Sequence, residues 1–108
     1  MAYNGTEGGE ILRPAARLLM LNYRNSNAFP ANNQVEGILF GRDNIEALLA
    51  QPGCMGVRIY YGKDGVADTD APQMVLVGYD IDGNDMTDLI VDMGMPCPHY
   101  CPTPSSKI

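Results

Sequence analysis

The sequence has one histidine, His99, and it stands in the tail of the chain. A body without histidine offers little acid–base catalysis at neutral pH. The serines Ser26, Ser105 and Ser106 lie in loop or tail, and no GxSxG elbow is present. The stretch GTEGGE lacks a preceding strand and a following lysine, so it is not a phosphate loop. Between Asp64 and Asp92 there is no lysine or arginine. That stretch repels phosphate backbones, which argues against nucleic acid as a partner. No run approaches the ~18 apolar residues of a spanning helix, so no membrane partner is expected. The N-terminal MAYNGTEGGE has neither a basic stretch nor an apolar centre. A cytoplasmic location is therefore expected rather than secretion. Cysteine is scarce and odd in number (Cys54, Cys97, Cys101), which fits a reducing compartment better than a disulfide framework.

What is present bounds the fold. A chain of 108 residues is an ordinary single domain and buries one modest core. A hydrophobic share of 45% is globular rather than disordered. Twelve glycines and eight prolines predict much turn and loop. The net charge of -6 is segregated. Residues 1–63 hold six basic and five acidic groups, whereas residues 64–108 hold eight aspartates and one base, Lys107. Such an acidic half suits cations or a basic protein surface. Solubility is the plainer explanation and is preferred.

Along the chain, residues 1–10 read as a polar, flexible lead. In residues 11–25 the spacing predicts a helix, with Leu12, Ala15, Ala16, Leu19 and Tyr23 on one face. Arg13, Arg17 and Arg24 fall on another face, and Pro14 must occupy the first turn. NSNAFPANN (25–33) is a loop by composition. QVEGILFG (34–41) predicts a short strand. DNIEALLAQPG (43–53) predicts a helix capped by Asp43, with Ile45, Leu48 and Leu49 inward and Pro52-Gly53 at its end. VRIYYG, QMVLVGYDI and MTDLIVDM predict three strands, the last two joined by the hairpin signal Asp82-Gly83. QMVLVGYDI is apolar on both faces, so it should be central and covered on both sides. A second copy of the chain is one candidate cover, the N-terminal lead and the tail the other. Four prolines from Pro96 to Pro104 forbid helix and make residues 96–108 an extended tail, partly polyproline II. The expected fold is one α+β domain over residues 11–95. Two helices pack on an antiparallel sheet of about four strands in the order α-β-α-β-β-β.

The runs GCMGVRIYYG, MVLVGYDIDGND and MPCPHYC occur in that order over residues 53–101. In these runs the chain resembles a group of small uncharacterised bacterial proteins. That group shares a GIRIYYG-like strand, an LVLVG-like strand and a terminal PCPxxC. The likeness extends over about residues 43–101, and His99 is the departure, standing where the group has a second proline. The resemblance implies a domain that ends in this motif and implies no chemistry.

The strongest candidate site is the end of the chain. Met93, Met95, Cys97, His99 and Cys101 recur at every second residue, and alternate side chains of an extended segment share a face. Two Cys and one His suit Zn(II), and Cys with Met suits Cu(I). Cys54 is a possible fourth ligand of a closed Cys3His zinc site. A Cys97–Cys101 disulfide is the rival. Against the metal stand the Cys-x3-Cys spacing, the threefold twist favoured by Pro96 and Pro98, and Met93 as the natural inward residue after Leu89 and Val91. Otherwise Cys54 is a small buried hydrophobe.

Asp80, Asp82 and Asn84 match three positions of a calcium loop. Asp85 replaces its required glycine and Val91 its bidentate glutamate, so a hairpin turn is the simpler reading. Arg13, Arg17 and Arg24 form a stripe for an acidic partner, including the aspartate-rich half of another copy, or a solvated helix face, which is preferred. Of Tyr60 and Tyr61, one ring should be buried and the other exposed. An exposed Tyr60 beside Arg58 would suit an interface. A Cys97–His99 pair two residues apart rarely meets at hydrogen-bond range, so catalysis is not expected. The function expected is a protein-interaction or self-assembly module pairing with itself, as a homo-oligomer, or with another protein. The runner-up is a small metal-binding protein using the Cys/His/Met tail.

Overall fold

The computed structural model describes residues 2–26, 35–67, 70–98, 100–104 and 107–108. The elements are α1 (Arg13–Arg24), β1 (Gly37–Leu39), α2 (Arg42–Leu49), β2 (Gly56–Lys63), β3 (Pro72–Tyr79), β4 (Asp85–Val91) and β5 (Met95–Cys97). Among the described residues the protein is α+β, with two helices and two antiparallel sheets. Most of the predicted 25–33 loop, and His99, lie outside the described residues.

The meander β2-β3-β4 forms as its patterning requires, with β3 in the centre. Gly56 to Lys63 pair with Tyr79 to Pro72, and Leu76 stands opposite Val91. The Asp-Gly signal makes the β3–β4 turn. The Gly83 amide donates to the Asp80 carbonyl at 2.9 Å, and Gly83 takes φ +83°, a conformation glycine adopts without strain. The Asp80 carboxylate accepts the amides of Asp82 and Asn84 at 3.0 and 2.9 Å. This aspartate organises its own turn, which is the hairpin reading.

The single four-stranded sheet does not form. β1 leaves the meander and pairs with β5 in the tail, Gly37 opposite Cys97 and Leu39 opposite Met95. The tail therefore carries a ladder despite its prolines. Each strand of a two-stranded ribbon has an open edge, where a proline is tolerated, and Pro96 stands opposite Ile38. The extended form ends at Cys97: the Tyr100 amide turns back to the Pro96 carbonyl at 2.8 Å.

The core sits between α2 and the meander. Leu48 is 0% exposed and packs with Leu76 and Val91, ringed by Phe40, Val57, Met74 and Leu89. Gly78 permits this approach: a Cβ there would lie 2.9 Å from Cys54 Sγ and 3.0 Å from Gln51 Nε2. The N-cap of α2 is Gly41, not Asp43, which falls in the first turn where a carboxylate suits the helix dipole. Leu49 is exposed rather than inward.

Packing of both helices on the sheet holds only for α2. α1 has Pro14 in its first turn, as expected, but buries none of its residues. Instead of a packed seam, an open groove of about 650 Å³ runs between α1 and the sheet, lined by Leu19, Met20, Tyr23, Ile38, Tyr61 and Met74 among others. Tyr60 and Tyr61 are both exposed, because the groove leaves Tyr61 uncovered on the α2 side of the sheet. Met93 also faces outward, with φ +61°: the chain turns between β4 and β5 and breaks the alternation.

The other face of β3 is covered from the N-terminus. Tyr3 stacks edge-on against Tyr79 with ring centroids 5.9 Å apart, and its amide donates to the Ile81 carbonyl at 2.7 Å. Val77 beneath this face is buried. Leu48→Ala should cost about 2–5 kcal/mol, the usual range for a buried leucine, read as a lower denaturant midpoint. A loss under about 1 kcal/mol would mean that the core is not centred on α2.

Candidate functional site

The segment before β1 contains one charged residue, Glu36, among apolar neighbours. Its amide donates to the Cys97 carbonyl at 2.7 Å, extending the β1–β5 ladder by one bond. Its half-buried carboxylate accepts hydrogen bonds from Lys107 Nζ at 2.5 Å and from Arg24 Nη2. Arg13 Nη2 donates to the Lys107 carbonyl at 2.7 Å. Glu36 thus ties α1, β1 and the end of the tail together. The Lys107 hydrogen bond holds the Glu36 carboxyl below its usual range, burial opposes this, and the Arg24 hydrogen bond adds to it.

The two tail cysteines meet beside this carboxylate. Cys97 and Cys101 form a disulfide with Cα atoms 4.6 Å apart. Cys97 is buried and Cys101 is exposed. The Glu36, Cys97 and Cys101 donor atoms all lie within 4.8 Å of one another. Cys54 is not a member of this group. It sits at the corner between α2 and β2, a free thiol whose Sγ donates to the Gly56 carbonyl at 3.2 Å. Of the four candidate ligands, two come together, one stands apart and His99 lies outside the described residues.

The candidate interaction residues divide into two groups. Arg13 and Arg24 are engaged by the tail and by Glu36, while Arg17 makes no ion pair among the described residues. Arg58 and Tyr60 are joined to each other through Asp85 on the opposite side of the meander. Arg58 Nη1 donates to the Asp85 carboxylate at 2.5 Å and to the Gly83 carbonyl at 3.0 Å, and Tyr60 Oη donates to Asp85 at 2.5 Å. The Tyr60 hydrogen bond, opposed by burial and aided by Arg58, lowers the Asp85 pKa. Arg58 also lies 5.8 Å from the Tyr79 ring centre, and the Tyr79 hydroxyl donates to Glu7. This network closes the hairpin from within the chain.

Glu36, Lys107 and Asp85 escaped the sequence reading. For Glu36 a signal existed, since a lone carboxylate in an apolar strand segment needs a partner. Lys107 and Asp85 carried none, because the contacts join positions 71 and 27 residues apart.

The lowered Glu36 pKa has a definite sign. A carboxyl with a lower pKa in the folded state than its ordinary 4.5 adds stability above pH 4.5. That contribution is lost as the pH falls through the lower folded value. The melting temperature of Glu36→Gln should therefore lie below that of the parent at neutral pH, with the gap closing in acid below pH 4.5. A gap that is constant with pH would assign the loss to packing rather than to charge. Comparisons with protein families, with curated proteins and with solved structures find no match to the chain.

Proposed function

We propose that the protein is a non-catalytic self-assembly module whose partner is a second copy of itself. The observation that carries this reading is the uncovered apolar face of α1, which buries none of its residues. Leu12 at its N-cap is 75% exposed, and Leu19, which lines the groove, is 62% exposed.

Charge complementarity favours a second copy over another partner. α1 carries no acid and three arginines, of which Arg24 is paired with Glu36 and Arg13 bonded to the tail, while residues 64–92 carry no base and eight aspartates, of which Asp85 is paired with Arg58. Two copies bring those surfaces together, and steering by opposite charge helps encounter. No helix among the described residues is long and apolar enough to cross a membrane. A cytoplasmic location completes the reading; there Cys97 and Cys101 would be held mostly as thiols. A second reading, a metal-binding tail, is favoured by one observation: Glu36, Cys97 and Cys101 converge to within 4.8 Å.

Sedimentation equilibrium at micromolar concentration should give at least twice the 11.7 kDa chain mass. Leu12→Glu with Leu19→Glu should return a folded monomer, since both side chains lie outside the core, and its melting temperature should no longer rise with protein concentration. Added salt should weaken the association. A parent protein that sediments as a monomer would refute self-assembly.

A further inference from the structure

The disulfide, the carboxylate beside it and the two cations on that carboxylate form one construction that assembly does not explain. We infer that the Cys97–Cys101 disulfide is the closed state of a metal site, and that two-electron reduction opens it to one zinc-class divalent cation held by both thiolates and Glu36. The inference rests on the metal-binding reading of the tail and adds to it a third ligand and a redox gate.

The geometry supports each part. Tetrahedral zinc, with Zn–S bonds of ~2.3 Å and Zn–O bonds of ~2.1 Å, needs donors about 3.5–3.8 Å apart. The Glu36, Cys97 and Cys101 donors already lie within 4.8 Å of one another, so the sulfurs must separate and the carboxylate need close by no more than about 1 Å. The 2.7 Å hydrogen bond from the Glu36 amide to the Cys97 carbonyl holds the Glu36 backbone beside Cys97. Ligating carboxylates are themselves commonly hydrogen-bonded, and Lys107 and Arg24 supply those bonds here. Two thiolates and a carboxylate carry three negative charges against two on the ion. The neighbouring ammonium and guanidinium offset the remainder.

Access is one-sided. Cys101 is exposed and Cys97 is buried, so an incoming thiolate attacks the Cys101 sulfur and Cys97 leaves as thiolate. With a dithiol reductant, its second thiol displaces Cys101 and the reductant departs as a cyclic disulfide. The chain gains two electrons and two protons. Metal binding then releases those two protons from the thiols. A disulfide oxidant such as oxidised glutathione reverses the electron flow and expels the ion.

The test is a zinc titration of the full chain against a chromophoric indicator, under anaerobic conditions, in a Cys54→Ser background that leaves only the tail thiols. Dithiol-reduced protein should take up one zinc per chain, and disulfide-bonded protein none. Cobalt in place of zinc should give a thiolate-to-metal charge-transfer band in the reduced form alone. Glu36→Gln should lower the zinc affinity about 10-fold or more, the scale seen when a metal's carboxylate support is removed. Lys107→Gln, which breaks the same tail contact but keeps the ligand, should cost less than Glu36→Gln. Uptake by the disulfide form would overturn the gate. Uptake by the reduced form with Glu36→Gln no weaker than Lys107→Gln would overturn Glu36 as a ligand and leave a metal-binding tail. No uptake in either form would overturn the inference and the metal-binding reading together.

Discussion

The contact of Leu48 with Leu76 and Val91 is the one on which the remaining structure depends. It places a single turn of α2 over the centre of the meander, where a leucine can lose all its solvent contact. One other feature serves that approach: Gly78 has no Cβ to hold the helix end away. With so few fully buried residues the core has little redundancy, and the rest of the chain must be held by polar contacts.

Those contacts are long-range and fall on the two ends of the chain. At the N-terminus, Tyr3 and Glu7 lie over Tyr79 and cover the second face of β3. At the C-terminus, Glu36 holds Arg24 and Lys107, and β5 pairs with β1. A carboxylate shared by two cations is a stronger anchor than an isolated surface pair, because one ordered side chain serves both bonds. Without it α1 would be tied to the meander only around an open groove. The same carboxylate lies beside the two cysteines, so what anchors the tail also supplies a donor near their sulfurs.

The surface follows from this economy. α1 is held by its charged side chains rather than by its leucines, and those leucines remain in solvent. An amphipathic helix keeps exposed apolar positions at a cost unless something covers them. Charge segregation supplies the direction in which a second copy would approach. The face proposed for self-assembly and the tail proposed as a redox-gated site meet at Arg24 and Arg13, which reach Glu36 and the Lys107 carbonyl from α1.

How much was legible in the sequence depends on the range of the interactions. Local pattern sufficed for both helices, for the meander with β3 at its centre, and for the Asp80–Gly83 turn. Period, proline position and turn chemistry act within a few residues. Proximity in the chain made a Cys97–Cys101 disulfide one of two alternatives, a metal site being the other, and the structure has the disulfide. The ribbon of β1 with the tail, the exposure of α1 and the place of Glu36 were decided only by the tertiary structure. Each depends on partners roughly sixty or seventy residues away, and no local pattern encodes which distant carbonyl or ammonium will meet a given side chain. Amphipathic spacing stated that α1 has an apolar face; only the packed chain showed that its own core leaves that face uncovered.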